Sequence, residues 1–221
     1  PRRSAPRLRQ VDGGPRYYGR FSNALPTNRS YFPIGVWLEC LNNRGNVNLD
    51  KDVGLNVYVA VCATGQSALN LARANAMRVI NEYDWPVAPG PGSETAGHLL
   101  GDELDMTRGP AGCAETRRRN GTLRADGRFR HSNYGKGVLF WQTDAEAACF
   151  VNAQDLVSTD AYWFTDNNLC GRSEGGGEPG VVKANNCHVA ANYGRQVNRV
   201  RSLVFPARSK PVWAFVEVGH P

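Results

Sequence analysis

Two glutamates stand where apolar stretches give way to polar ones. Glu103 follows "AGHLLGD" and Glu217 follows "KPVWAFV". Paired carboxyls support one chemistry in particular. A protonated one hands its proton to a leaving oxygen, while an ionised one attacks carbon or activates water, as glycosidic cleavage requires. A separation of about 5 Å would retain configuration at the sugar, and about 6.5–9.5 Å would invert it. Acids and aromatics accompany the pair: Asp102, Asp160, Tyr162, Trp163 and Trp141. Sugars offer flat apolar faces to rings and hydroxyls to carboxylates, so these five are candidate substrate-binding residues, with Glu103 and Glu217 as the candidate catalytic pair.

For Glu103 and Glu217 to face one another, the chain must bring distant segments to one rim. "YFPIGVWLEC" (31–40), "GLNVYVAVC" (54–62), "MRVI" (77–80), "AGHLLGDELDM" (96–106), "YGKGVLFW" (134–141), "DLVSTDAYWF" (155–164) and "PVWAFVEV" (211–218) read as strands, mostly apolar throughout. Continuous apolar runs suit strands buried on both faces of a parallel sheet. Helical patterns fall between some of them: 67–76, 143–154 with a Thr/Asp start, and 192–204. Alternating strands and helices predict an α/β fold, and seven such strands fit a TIM-type (β/α)₈ barrel truncated after its seventh strand. In that fold, function gathers at the carboxyl ends of the strands. These ends carry Trp37 and Glu39, then Asp102 and Glu103, Trp141, then Asp160, Tyr162 and Trp163, and last Glu217.

Residues 1–30 are rich in Arg, Pro and Gly and predict an extended basic N-terminal arm, with the barrel domain over 31–221. The chain has 221 residues, 41% hydrophobic and 21% charged, which excludes a disordered polymer. No run approaches the ~20 apolar residues of a membrane span. The four His and six Cys show no metal-ligand spacing, so neither a metal nor a cofactor is expected. The thiols read either as free or, for Cys170 and Cys187, as a bridge across a Gly-rich segment. No Gly-rich phosphate loop follows a strand. Net charge is +6, and "PRRSAPRLRQ" with "ETRRRNGTLRADGRFRH" holds ten of the 26 basic residues. As solvated tail and loop these need no ligand; nucleic-acid binding would require them on one continuous face.

Taken in order, "RYYGRFSNALPTNRSYFPIGVW", "GLNVYV", "LLGDELDM", "NYGKGVLFW", "DLVSTDAYWFTD" and "KPVWAFVEVG" resemble the glycoside-hydrolase-like barrel of minor tail proteins from phages of mycobacteria and related actinobacteria. The resemblance runs from about Arg16 to Pro221. It implies a virion tail protein that grips or hydrolyses host cell-wall polysaccharide during attachment or entry. Other tail proteins and further copies of itself would be its partners. It implies Glu103 as acid/base and Glu217 as nucleophile. The sequence departs from that clan at Asp102, where an Asn usually stands, and in "AVCATG", which lacks the Arg often found after strand 2. The alternative is an inert barrel kept as a structural module of the tail tip. With strand 8 not included, either a further segment or a partner is expected to cover the seam.

Overall fold

The computed structural model describes residues 11–62, 65–86, 94–166, 168–169 and 188–218. Seven strands form one sheet: β1 (Gly35–Trp37), β2 (Val57–Val59), β3 (Arg78–Glu82), β4 (Thr95–Asp102), β5 (Phe129–Tyr134), β6 (Leu156–Thr159) and β7 (Val212–Ala214). They lie in sequence order and every neighbouring pair is parallel. The sheet curls. Rings from its two ends meet, Trp37 of β1 lying 5.7 Å from Phe215 just beyond β7.

Six helices accompany the strands: α1 (Arg44–Asp52), α2 (Gln66–Ala74), α3 (Leu104–Thr107), α4 (Gly112–Thr122), α5 (Asp144–Val151) and α6 (Ala191–Leu203). The expected helices became α2, α5 and α6. Thr143 caps α5 in a complete capping box with Glu146. On the outside, Val47, Leu69 and Ala72 pack on Tyr58 and Val79, while Phe150, Val151 and Val200 pack with Tyr134 and Val157. The concave side holds a third cluster, in which Val57, Val59, Ile80, Leu99, Phe129 and Leu156 converge. Gly97 is glycine for a plain reason: a Cβ there would lie 2.3 Å from the Phe129 ring.

Three expectations are corrected. The fifth strand is Phe129–Tyr134, not 134–141, and Gly137–Trp141 forms one turn of π-helix. The buried carboxylate of Asp105 organises that turn by accepting from the amides of Gly135 and Val138. Backbone also comes so close that a Cβ on Gly137 would lie 2.6 Å from the Asp105 carbonyl. Second, the Arg-rich segment is loop only over 123–128: its first part completes α4 and its last part begins β5.

Third, residues 11–30 do not form an extended arm. Residues 1–10 lie outside the described part. A turn of 3-10 helix at Tyr17–Arg20 places Tyr18, Phe21 and Leu25 against the inner cluster, with Tyr17 and Leu25 buried. The Tyr17 hydroxyl donates to the Asp155 carbonyl at 2.6 Å, the Trp213 indole donates to the Tyr18 hydroxyl at 2.9 Å, and Asn23 bonds the backbone of Gly127 and Asp126. This segment therefore closes the end of the curl where β5, β6 and β7 begin. Apolar side chains at positions 17, 18, 21 and 25 drive it there, because burying each ring or Leu is worth about 1.5–3 kcal/mol.

Among the described residues two disulfides are formed, Cys40–Cys62 and Cys113–Cys149. The first joins the segments that follow β1 and β2, and the second ties α4 to α5. Cys170 and Cys187 lie outside the described residues. Among the described residues, no helix is long and apolar enough to cross a membrane, and no His/Cys/Asp/Glu group could hold a metal ion.

Candidate functional site

The concave face changes character along the strands. Near their amino ends it is apolar; toward their carboxyl ends it becomes polar. The transition can be followed through buried hydrogen bonds. The Ser158 hydroxyl of β6 donates to Asn133 Oδ1 of β5 at 2.7 Å, and Asn133 Nδ2 donates to Asp102 Oδ1 of β4 at 2.9 Å. With its one proton given to Asn133, Ser158 must accept from His131 Nε2, 2.9 Å away. That fixes His131 as the Nε2–H tautomer, with Nδ1 a bare acceptor that has no partner. Complete burial holds the His131 pKa down at about 3, so the ring is neutral.

Above this ladder stand four carboxyls. Asp102 ends β4, Glu103 follows it, Asp160 lies just past β6, and Glu82 ends β3. Burial raises the pKa of each. For Glu103 the neighbouring charges of Asp102 and Asp105 add to the rise and Lys136 offsets part of it. Asp160 is pushed up to about 7, by burial first and then by Glu103 and Asp102. Only 4% of Asp160 is exposed, and its Oδ1 has no hydrogen-bond partner. Tyr162 adjoins it, and the Asp160 charge contributes to raising the Tyr162 pKa.

Glu103 also sits in an unusual backbone. Its φ is 48°, left-handed, in a residue with a Cβ. Such residues cost of order 1 kcal/mol or more and cluster at functional sites. Its amide donates to the Asn133 carbonyl at 3.0 Å, which anchors the bend to β5. Gly135 makes room for it: a Cβ there would lie 3.0 Å from Glu103 Oε1.

Glu217 is held differently. Its carboxylate accepts from four donors: the amides of Phe164 at 2.9 Å and Thr165 at 3.1 Å, the Thr165 hydroxyl, and the Tyr193 hydroxyl at 2.7 Å. Those bonds outweigh partial burial and hold its pKa below the usual carboxylate range. Among the described residues, no hydrogen bond links Glu217 to Glu103.

The structure thus brings together Asp102, Glu103, Asp160 and Tyr162, with Glu217 in the segment that follows β7, three residues past Ala214. It removes one ring. Trp163 is fully buried in the outer core, where its indole donates to Gln196 Oε1 at 2.9 Å, so it cannot cover a sugar. Trp141 is 45% exposed but belongs to the π-turn rather than to a strand end. Sequence reasoning missed Asn133, Ser158 and His131. Their shared parity in β5 and β6 was the available signal, hidden because β5 was placed five residues too late.

The first basic segment, residues 1–10, lies outside the described residues; in the second, several arginines turn inward. Arg128 and Arg130 are buried and paired with Asp126, while Arg119 is engaged with Glu115 and the Leu100 carbonyl. No protein-family model matches the chain, and no curated protein matches it.

Proposed function

We propose that the chain is a TIM-type (β/α)₈ barrel, seven of its strands being present here, that binds polysaccharide at the acidic carboxyl-terminal rim and cleaves it as a retaining glycosidase. Glu103 is the acid/base and Glu217 the nucleophile, with Asp102, Asp160 and Tyr162 binding sugar hydroxyls. One observation carries this reading. The two glutamates follow strands of the same curled sheet, Glu103 directly after β4 and Glu217 three residues after β7, and their surroundings push them in opposite directions, Glu103 toward the protonated form and Glu217 toward the ionised form. An acid and a nucleophile at one pH need that divergence. The setting, a phage tail acting on the host envelope, rests on the resemblance of the strand motifs. Two disulfides accord with work outside a reducing cytoplasm.

A second reading is favoured by the four donors on Glu217. A carboxylate so fully engaged serves well as a clasp joining the segment after β6, helix α6 and β7, which suits an inert structural module of a tail. The experiment separates the two. Purified protein is incubated with host cell-wall arabinogalactan, and reducing ends and bound glycan are both measured. Under the enzymatic reading, Glu103→Gln and Glu217→Gln each abolish release while binding persists. No release by the unaltered protein overturns the enzymatic reading and leaves the module.

A further inference from the structure

The acidic rim holds three adjacent carboxyls, Asp102, Glu103 and Asp160, with Asn133 beside them. We infer that Asp160 is the proton-holding residue of this group: Asn133 donates to Asp102, and Asp160 remains a neutral acid whose charge state positions the titration of Glu103. The inference rests on the proposed site only in the role it gives Glu103.

Hydrogen-bond bookkeeping supplies the argument. Asn133 is completely buried, and its amide cannot be turned around. Its Oδ1 receives the Ser158 proton, so its Nδ2 must face the carboxyls, and it donates to Asp102 Oδ1 at 2.9 Å. That donor favours the ionised form of Asp102 and offsets part of the rise that burial causes. Asp160 is worse placed: Asn133 and Tyr162 also reach its carboxyl, yet burial and the charges of Glu103 and Asp102 outweigh them. It is more than nine-tenths buried, and its Oδ1 meets no donor at all. A buried carboxylate oxygen without a donor is costly, and a proton on the carboxyl removes most of that cost.

The groups packed around Asp160 offer no compensating cation. From the end of β4 come Asp102 and Glu103, both negative when ionised. From β5 comes Asn133, with neutral His131 beneath it. From its own segment comes Tyr162, a neutral hydroxyl that hydrogen-bonds the Asp160 carboxyl. The cation on this side, Lys136, is paired with Asp166 at 2.6 Å. Charge on Asp160 would therefore oppose charge on Glu103 directly. The upward shift of Asp160 to about 7 agrees with this.

Infrared difference spectroscopy across a pH titration tests the inference and does not depend on whether any glycan is cleaved. At pH 6 the folded protein should show the C=O stretch of a buried protonated carboxyl, sensitive to deuterium exchange and lost as pH rises through about 7. Asp160→Asn, nearly the same in shape, should lack it. Glu103→Gln should keep the band but lower its midpoint by about one pH unit, because a neighbouring charge has gone. A spectrum of the unaltered protein without the band, a band persisting in Asp160→Asn, or a midpoint unmoved in Glu103→Gln overturns the inference. If the band behaves as stated and no sugar is released, the enzymatic reading falls and the proton assignment stands.

Discussion

Tyr193 of α6 donates its hydroxyl to Glu217 at 2.7 Å, and the Glu217 amide lies 3.2 Å from the same oxygen. One phenol thus fastens the end of β7 to the helix before it. In Tyr193→Phe, Glu217 loses one of its four donors, so its pKa should rise toward the ordinary value. Carbon-13 NMR of the labelled Glu217 carboxyl reads that rise. Because Glu217 is partly exposed, we expect a stability loss of only about 1 kcal/mol. An unchanged titration would show that the other three donors set the charge by themselves.

His131 and Asp160 should pull stability in opposite directions with pH. The unfolded chain binds a proton on His131 below about 6.5, which the folded protein refuses down to about 3, so stability falls as pH drops through that window. Folded Asp160 keeps a proton up to about 7 that the unfolded chain releases above about 3.8, so there stability falls as pH rises. Each slope is about 1.4 kcal/mol per pH unit, and between about pH 4 and 6.5 they offset one another. Relative to the unaltered protein, Asp160→Asn should gain stability from pH 4 to 7, and His131→Gln should lose less on acidification. Urea midpoints at half-unit pH steps check both signs.

The segment before β1 should matter for folding as much as a core strand does. Leu25 is only 3% exposed. Leu25→Ala should cost about 2–5 kcal/mol in chemical denaturation, the usual range for truncating a buried Leu. An arm loose in solvent would make that substitution nearly neutral.

The Cys113–Cys149 bridge spans 36 residues. By the chain-entropy argument its removal should cost between about 3 and 5 kcal/mol. The double variant Cys113→Ala/Cys149→Ala should therefore unfold at a clearly lower temperature. Heating the reduced and oxidised protein side by side should give the same ordering.

Sequence patterns located most of the scaffold. Continuous apolar runs marked β1, β2, β4, β6 and β7 because a parallel sheet buries both faces of its strands, and Thr143 with its following acids marked α5. β5 escaped for the opposite reason: "FRHSNY" is polar, its inner residues serving hydrogen bonds rather than apolar packing. The apolar "GVLFW" next to it was the stronger strand signal, yet Asp105, 30 residues earlier, wound it into a turn. Glu103 and Asp102 were legible as acids ending a strand. What they touch was not, because the register between β4, β5 and β6 decides it. Trp163 shows the same limit: type and position suggested a sugar platform, while packing turned the ring to the other side of the sheet.

The plug formed by Tyr18, Phe21 and Leu25 has a consequence for any long polymer that meets this protein. These side chains cover the ends where β5, β6 and β7 begin. If the acidic end takes a glycan as proposed, the polymer would meet a floor there rather than a passage and would leave on the side it entered.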